Sequence, residues 1–391
     1  MLRLLLVASL ALAIAAPAEA IPAFARRYGL TCMTCHDPVP KLNGFGEQFL
    51  ARGYRMSDDD TTGVTSLGDP ILSLQQSLPL AIRIDAYVRA YGGHAVRSDF
   101  ATPMIAKLLS GGTIAPSVSY YLYLLLAENG ATGPIEDAWV AFRRPFGLPA
   151  TVTVGQFQIA DPVWKRELRL TLENYQILSQ RIGAGSADVS YDRGITVDFD
   201  LGEQTTLAAE IVNGNGIGEA ADGVFDGDAP KTGVVWAMRR FGPVRIGGMA
   251  YYGAQRLTRQ VTTSSGPVGV VRSNRTWMAG PALQITDANV EVNAQYLWRG
   301  DTDPTFDGAS PDATTSGGFA EIVWWPQGRG SRLIVTGLYN RVDSEAPGAQ
   351  YETGTVNVGW LLRRNLRLAG ECTWDFIGDQ PRAALGIVTA F

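Results

Sequence analysis

Five consecutive residues carry the densest chemistry in this chain: Cys32-Met33-Thr34-Cys35-His36. Two thiols on one turn can add to the two vinyl groups of a haem, while the adjoining imidazole ligates the iron. The spacing has rival readings. A thioredoxin-type redox disulfide needs a βαβ setting, and no such pattern surrounds the motif. A zinc knuckle needs a second ligand pair nearby, and a chain with three Cys and two His in 391 residues supplies none. One covalent haem c is the expectation, with Cys32 and Cys35 as attachment points and His36 as the proximal iron ligand.

The residues that follow must seat such a group. Asn43 is placed to cap a short helix from Gly44 to Arg52, ended by Gly53. Phe45 and Phe49 fall one turn apart on one face, so both are expected to pack on the haem. On the distal side, Met56 lies 20 residues beyond His36, and a thioether ligand would raise the iron potential. Met33 sits inside the attachment loop and is poorly placed for the opposite face. His94 is the other imidazole, and a water or an open position is a further option. Distal-histidine catalysis of the peroxidase kind has little to draw on with two His in the chain.

Export fits this chemistry, because c-type haem is attached beyond the inner membrane. Residues 1–20 carry Arg3, an apolar run and a terminal Ala18-Glu19-Ala20, the pattern of a secretory signal peptide cleaved after Ala20. With 33 Lys+Arg against 38 Asp+Glu, a net charge of −5 argues against a nucleic-acid partner. The 46% hydrophobic content is too high for a disordered chain. Charged residues, at 18%, fall below the roughly 25% of soluble domains. The best apolar run after the leader, Tyr120 to Ala127, is about a third of a spanning helix. A membrane could then be crossed only by a closed barrel.

From about residue 79 the apolar positions recur with period two, the strand period. Val290, Val292, Ala294, Tyr296 and Trp298 alternate with Glu291, Asn293, Gln295, Leu297 and Arg299. The pattern predicts strands over 79–92, 102–110, 115–128, 134–143, 149–158, 193–202, 204–213, 231–241, 243–254, 271–285, 288–299, 316–326, 331–343, 351–363, 366–376 and 382–391. That is about 16 strands, joined alternately by tight turns and long polar links at 214–230, 255–270, 300–315 and 344–350. Aromatics crowd the predicted strand ends as interfacial girdles would: Tyr91, Trp139, Tyr251, Tyr252, Trp298, Trp324, Trp325, Trp360 and Trp374. A soluble β-sandwich alternates too, but would not keep short and long links in strict succession. Cys372 falls on an apolar face, where it is a small hydrophobe. The longest link, 159–192, either folds into the lumen or covers the surface.

These observations divide the chain into a signal peptide (1–20), a monohaem cytochrome c module (21–70) and an all-β transmembrane barrel (71–391). A module of about 50 residues is too small for a robust core of its own, so it is expected to plug the barrel. A second reading is a solute porin with an accessory haem, in which inward Arg83, Arg89, Arg239 and Arg299 form an anion path.

Ile21-Pro22-Ala23-Phe24-Ala25-Arg26, the Cys32–His36 motif, Pro40-Lys41-Leu42-Asn43, Phe45-Gly46, Phe49 and Gly53-Tyr54 together resemble the fused monohaem cytochrome–porins of iron-oxidising bacteria. The segments Ile135-Glu136-Asp137-Ala138-Trp139 and Val154-Gly155-Gln156-Phe157 look like phosphate-selective porins. The terminal Phe391 looks like a barrel-insertion signal. The resemblance implies an outer-membrane location and electron transfer across that membrane. It implies an extracellular donor such as Fe(II), and a periplasmic cytochrome or other carrier as the second partner. It also implies haem attachment at Cys32 and Cys35, with His36 on the iron.

Overall fold

The alternation makes every strand two-faced, and the barrel resolves it by turning the apolar face outward. In the computed structural model, which describes residues 22–77, 79–93, 97–159, 168–264 and 266–391, sixteen antiparallel strands close on themselves. They follow a two-stranded ribbon, β1 (Val64–Thr65) with β2 (Leu74–Gln75). The barrel strands are β3 (Leu80–Tyr91), β4 (Arg97–Ala115), β5 (Val118–Glu128), β6 (Ile135–Arg143), β7 (Ala150–Gln158), β8 (Tyr191–Asp200), β9 (Thr205–Val212), β10 (Thr232–Phe241), β11 (Val244–Thr263), β12 (Gly266–Thr286), β13 (Val290–Asp301), β14 (Ala313–Trp324), β15 (Leu333–Ser344), β16 (Tyr351–Arg363), β17 (Leu366–Asp375) and β18 (Gln380–Ala390). Each pairs with the next, and β18 closes on β3 with Leu385 opposite Val88. In β13, Glu291, Asn293, Gln295, Arg299 and Asp301 are buried inward, while Tyr296 and Trp298 are exposed outside. Cys372 is likewise on the outer face.

Every predicted strand has its counterpart, but three details differ. The link placed at 255–270 is a ladder: β11 and β12 continue as a long hairpin in which Gln255 pairs with Asn274 and Thr258 with Val271. Leu257, Val261, Val268 and Val270 are scattered there among Gln, Arg, Thr and Gly, so the period weakens while the backbone pairing persists. Arg239 does not point inward. Parity in β10 is set by buried Val234, Trp236 and Met238, which leaves Arg239 outside, over the Phe241 ring. Trp139, Tyr251 and Trp325 are not girdle residues either. All three are buried, and Tyr91 lines an internal cavity, whereas Tyr252, Trp298, Trp324, Trp360 and Trp374 are exposed outside.

The lumen is filled from both ends. Residues 22–77 form a plug at the end of the short turns, built on α1 (Pro22–Tyr28) and α2 (Gly44–Ala51). The β1–β2 ribbon belongs to this plug, so the plug runs past residue 70, while the wall begins at Leu80, where the first predicted strand places it. Ion pairs fasten the plug around the wall: Lys41–Glu291 at 2.6 Å, Glu47–Arg245 at 2.7 Å, Asp37–Arg329 at 3.1 Å and Asp58–Arg143 at 2.8 Å. From the other end the β7–β8 link folds inward, with a short helix α3 (Gln176–Ser179). Tyr175 stacks on Phe319 with ring centroids 4.1 Å apart and donates to Glu321 at 2.9 Å. Around it Ile177, Leu178 and Val189 pack on inward Trp236, Met238, Tyr251, Met278 and Leu338. The lumen option for this link therefore holds for residues 168–190, while Trp164 to Glu167 lie outside the described residues.

The Lys41–Glu291 pair is buried on both sides. Removing one partner of such a pair strands a charge, which costs about 3–5 kcal/mol. Lys41→Met is expected to lose the lower end of that range, because Asn293 and Arg329 still donate to Glu291. Denaturant-dependent protease cleavage of the plug reads this, and adding Glu291→Gln should recover most of the loss.

Candidate functional site

The Cys32–His36 motif closes one 3-10 turn over Cys32–Thr34. The Cys35 amide donates to the Cys32 carbonyl at 3.2 Å and the His36 amide to the same oxygen at 2.9 Å. Asn43 ties this turn to α2. Its Oδ1 caps the helix by accepting from the Gly46 amide at 3.0 Å, and its Nδ2 donates to the Met33 carbonyl at 3.1 Å. Gly46 is required by that closeness, since a Cβ there would stand 2.3 Å from the Cys35 carbonyl oxygen.

The turn faces a largely apolar cavity. Cys32, Cys35 and His36 line it with Leu42, Phe49, Leu50 and Tyr54 from the plug, Leu109, Tyr121, Tyr123 and Trp139 from the wall, and Leu168 from the in-folded link. The polar members of the barrel wall include Arg83 and Asp137. Tyr54 anchors the plug there, stacked on Trp139 at 5.8 Å and on Phe24 at 4.6 Å. His36 Nδ1 donates to the Pro40 carbonyl at 3.0 Å, which makes Nε2 the lone-pair nitrogen of a neutral ring. Burial pushes the imidazole pKa down and holds it neutral. Burial pushes the Cys35 thiol up to about 11 and raises Cys32 as well; the two sulfurs are free rather than joined.

The structure brings together Cys32, Cys35, His36 and Phe49, and leaves the other expected residues apart. Phe45 is 41% exposed and stacks on Phe49 at 6.1 Å, outside the cavity wall. Met56 is 40% exposed and does not line the cavity. Its amide donates to Asp60 at 2.9 Å, which fixes it in a turn beyond the Gly53-Tyr54 reversal. Met33 reaches toward Gly330 in the turn between β14 and β15. His94 lies outside the described residues. Tyr54, Tyr121 and Trp139 escaped the sequence reading, because wall aromatics cannot be told from girdle aromatics until strand parity is known.

No protein-family model matches the chain, and no curated protein matches it. Solved structures do resemble it. The loop-L8 deletion mutant of OmpT, an outer membrane protein of Vibrio cholerae, superposes with a TM-score of 0.56 at 11% identity, over 81% of this chain and 99% of that one. The anion-selective porin from Comamonas acidovorans superposes at 0.53 and 11% identity, covering 81% and 99%. Salmonella typhi OmpF, solved with daunomycin, superposes at 0.53 and 10% identity, covering 82% and 98%. The fold is a porin-like closed β-barrel, shared with these outer-membrane proteins.

Proposed function

We propose that this chain transfers electrons across the bacterial outer membrane through one covalently attached haem c held inside the barrel. The observation that carries the reading is the convergence of both thiols and the neutral imidazole on one apolar cavity, enclosed between plug, wall and in-folded link. The donor set fits the group. Cys32 and Cys35 would hold it, and His36 Nε2 would ligate its iron. A covalently held haem supplies one-electron iron chemistry. Phe49, Leu50, Tyr54, Leu109 and Trp139 keep water from the cavity, and Asn43 with Gly46 fixes the attachment turn. The Pro40 carbonyl orients the imidazole through Nδ1.

Barrels of this kind keep short turns in the periplasm. That orientation puts the plug on the periplasmic side, toward a soluble carrier, and the long links toward an extracellular donor such as Fe(II). The barrel would insulate the path from lipid. A solute porin with an accessory haem is the weaker reading, because an apolar cluster fills the lumen beside Tyr175 and Arg239 is not in it. Proteoliposomes enclosing an oxidised cytochrome decide the matter. External Fe(II) should reduce the enclosed carrier only when this protein is present, and no transfer would overturn the proposal.

A further inference from the structure

We infer that Arg367 forms an oxyanion site in the lumen, filled by a carboxylate: a haem propionate if the preceding reading holds, or a small soluble anion. Arg367 stands near the start of β17, facing inward and 3% exposed. Its Nη2 donates to the Leu170 carbonyl at 3.3 Å. Its Nε and Nη1 are buried without a hydrogen-bond partner. A guanidinium taken from water needs both a counter-charge and acceptors for its donors.

The neighbouring carboxylates are committed elsewhere. Asp85 is held by Arg83 at 2.9 and 2.7 Å. Glu371 accepts from the Leu172 and Glu173 amides at 2.7 and 3.1 Å and from Asn357 at 2.9 Å. The cations that share the cavity are also engaged, Lys107 by Glu136 and Arg382 by Glu173. Arg89, Arg169 and Arg382 each leave Nε alone without an acceptor, whereas Arg367 is the cation of this cavity that leaves two nitrogens so, among the described residues, and it opens into a cavity that Arg83, Arg169 and Arg382 also line. Arg83 lines this cavity and the thiol-lined one alike, so the two adjoin there. Room for the side chain is built in: a Cβ at Gly359 would lie 3.1 Å from Arg367 Cδ. Charged planar donors of this kind select oxygen anions, with carboxylate and phosphate the matching geometries.

The test uses the full-length protein as wild type, Arg367→Gln and Arg367→Lys, each checked for barrel folding by heat-modifiable gel mobility. Two quantities are read: the haem midpoint potential, and calorimetric binding of acetate and of inorganic phosphate. A propionate occupant predicts a lower potential in Arg367→Gln, recovered in Arg367→Lys, with no anion binding to the wild type. Removing a positive charge beside the haem favours the ferric state. A soluble occupant predicts binding to the wild type that weakens about tenfold or more in Arg367→Gln. In that case binding persists when Cys32 and Cys35 are both serine, so it stands even if the protein carries no haem. An unchanged potential together with no anion binding, with or without those thiols, overturns the inference.

Discussion

Full-length protein carrying Cys32→Ser and Cys35→Ser is expected to keep its barrel and lose covalent haem completely. Wild type should stain for haem in a denaturing gel, and the double variant should not. The barrel should survive because its closure rests on strand pairing from β3 to β18, to which neither sulfur contributes. Single serine variants should retain one thioether and stain more weakly. Loss in the double variant is complete because attachment depends on thiol chemistry rather than on affinity, and no thiol is left in the motif. His36→Ala should keep the attachment and change the iron's visible spectrum, since the imidazole contributes a ligand and no covalent bond. Haem-free wild-type protein from a host competent in cytochrome c maturation would sink the proposal. So would undiminished staining of the double variant.

The barrel was legible because period-two patterning acts on every strand separately, so sixteen weak signals add to one architecture. What fills it was not. Inward Trp236 and Met238 break the polar-in rule on β10, since their partners Tyr175, Ile177 and Leu178 arrive from a distant link. Phe45 and Phe49 share a helix face, yet only Phe49 turns to the cavity, because α2 is pinned at its start by Asn43 and held against the wall by Glu47–Arg245. Spacing alone makes Met56 a candidate distal ligand. The positive φ of Gly53 and Tyr54 reverses the chain, and the tyrosine goes inward instead. The thiols and imidazole were legible because they are adjacent in sequence, whereas the aromatic wall that encloses them is assembled from two strands, β5 and β6, and the plug. For the same reason Arg367 carried no sequence signal: its isolation depends on which neighbours Asp85 and Glu371 choose.

The in-folded link gives the second large expectation. Tyr175→Ala should turn a barrel closed to ions into one that opens in bursts. The ring is 4% exposed and stacks on Phe319, so removing it leaves a cavity. Truncating a buried aromatic costs about 3–5 kcal/mol. Even about 3 kcal/mol, charged to the docking of the link alone, raises the undocked population roughly a hundredfold. The link has other anchors, among them the Gln180 and Ala187 carbonyls accepting from Arg299 at 2.7 and 3.0 Å, so it should loosen rather than unfold the wall. Tyr175→Phe separates ring from hydroxyl. It forfeits the 2.9 Å bond to Glu321 Oε1, while Asn293 still donates to Oε2 at 2.9 Å, and keeps the stack. Its cost should be nearer 1 kcal/mol, and its bursts correspondingly rare. Single-channel recording in planar bilayers orders the three proteins: wild type quiet, phenylalanine rarely active, alanine frequently so. A wild-type barrel with a steady open conductance would mean that the apolar cluster does not seal the lumen. The haem would then sit beside a water-filled path, and the case for an insulated electron carrier would give way to the solute porin.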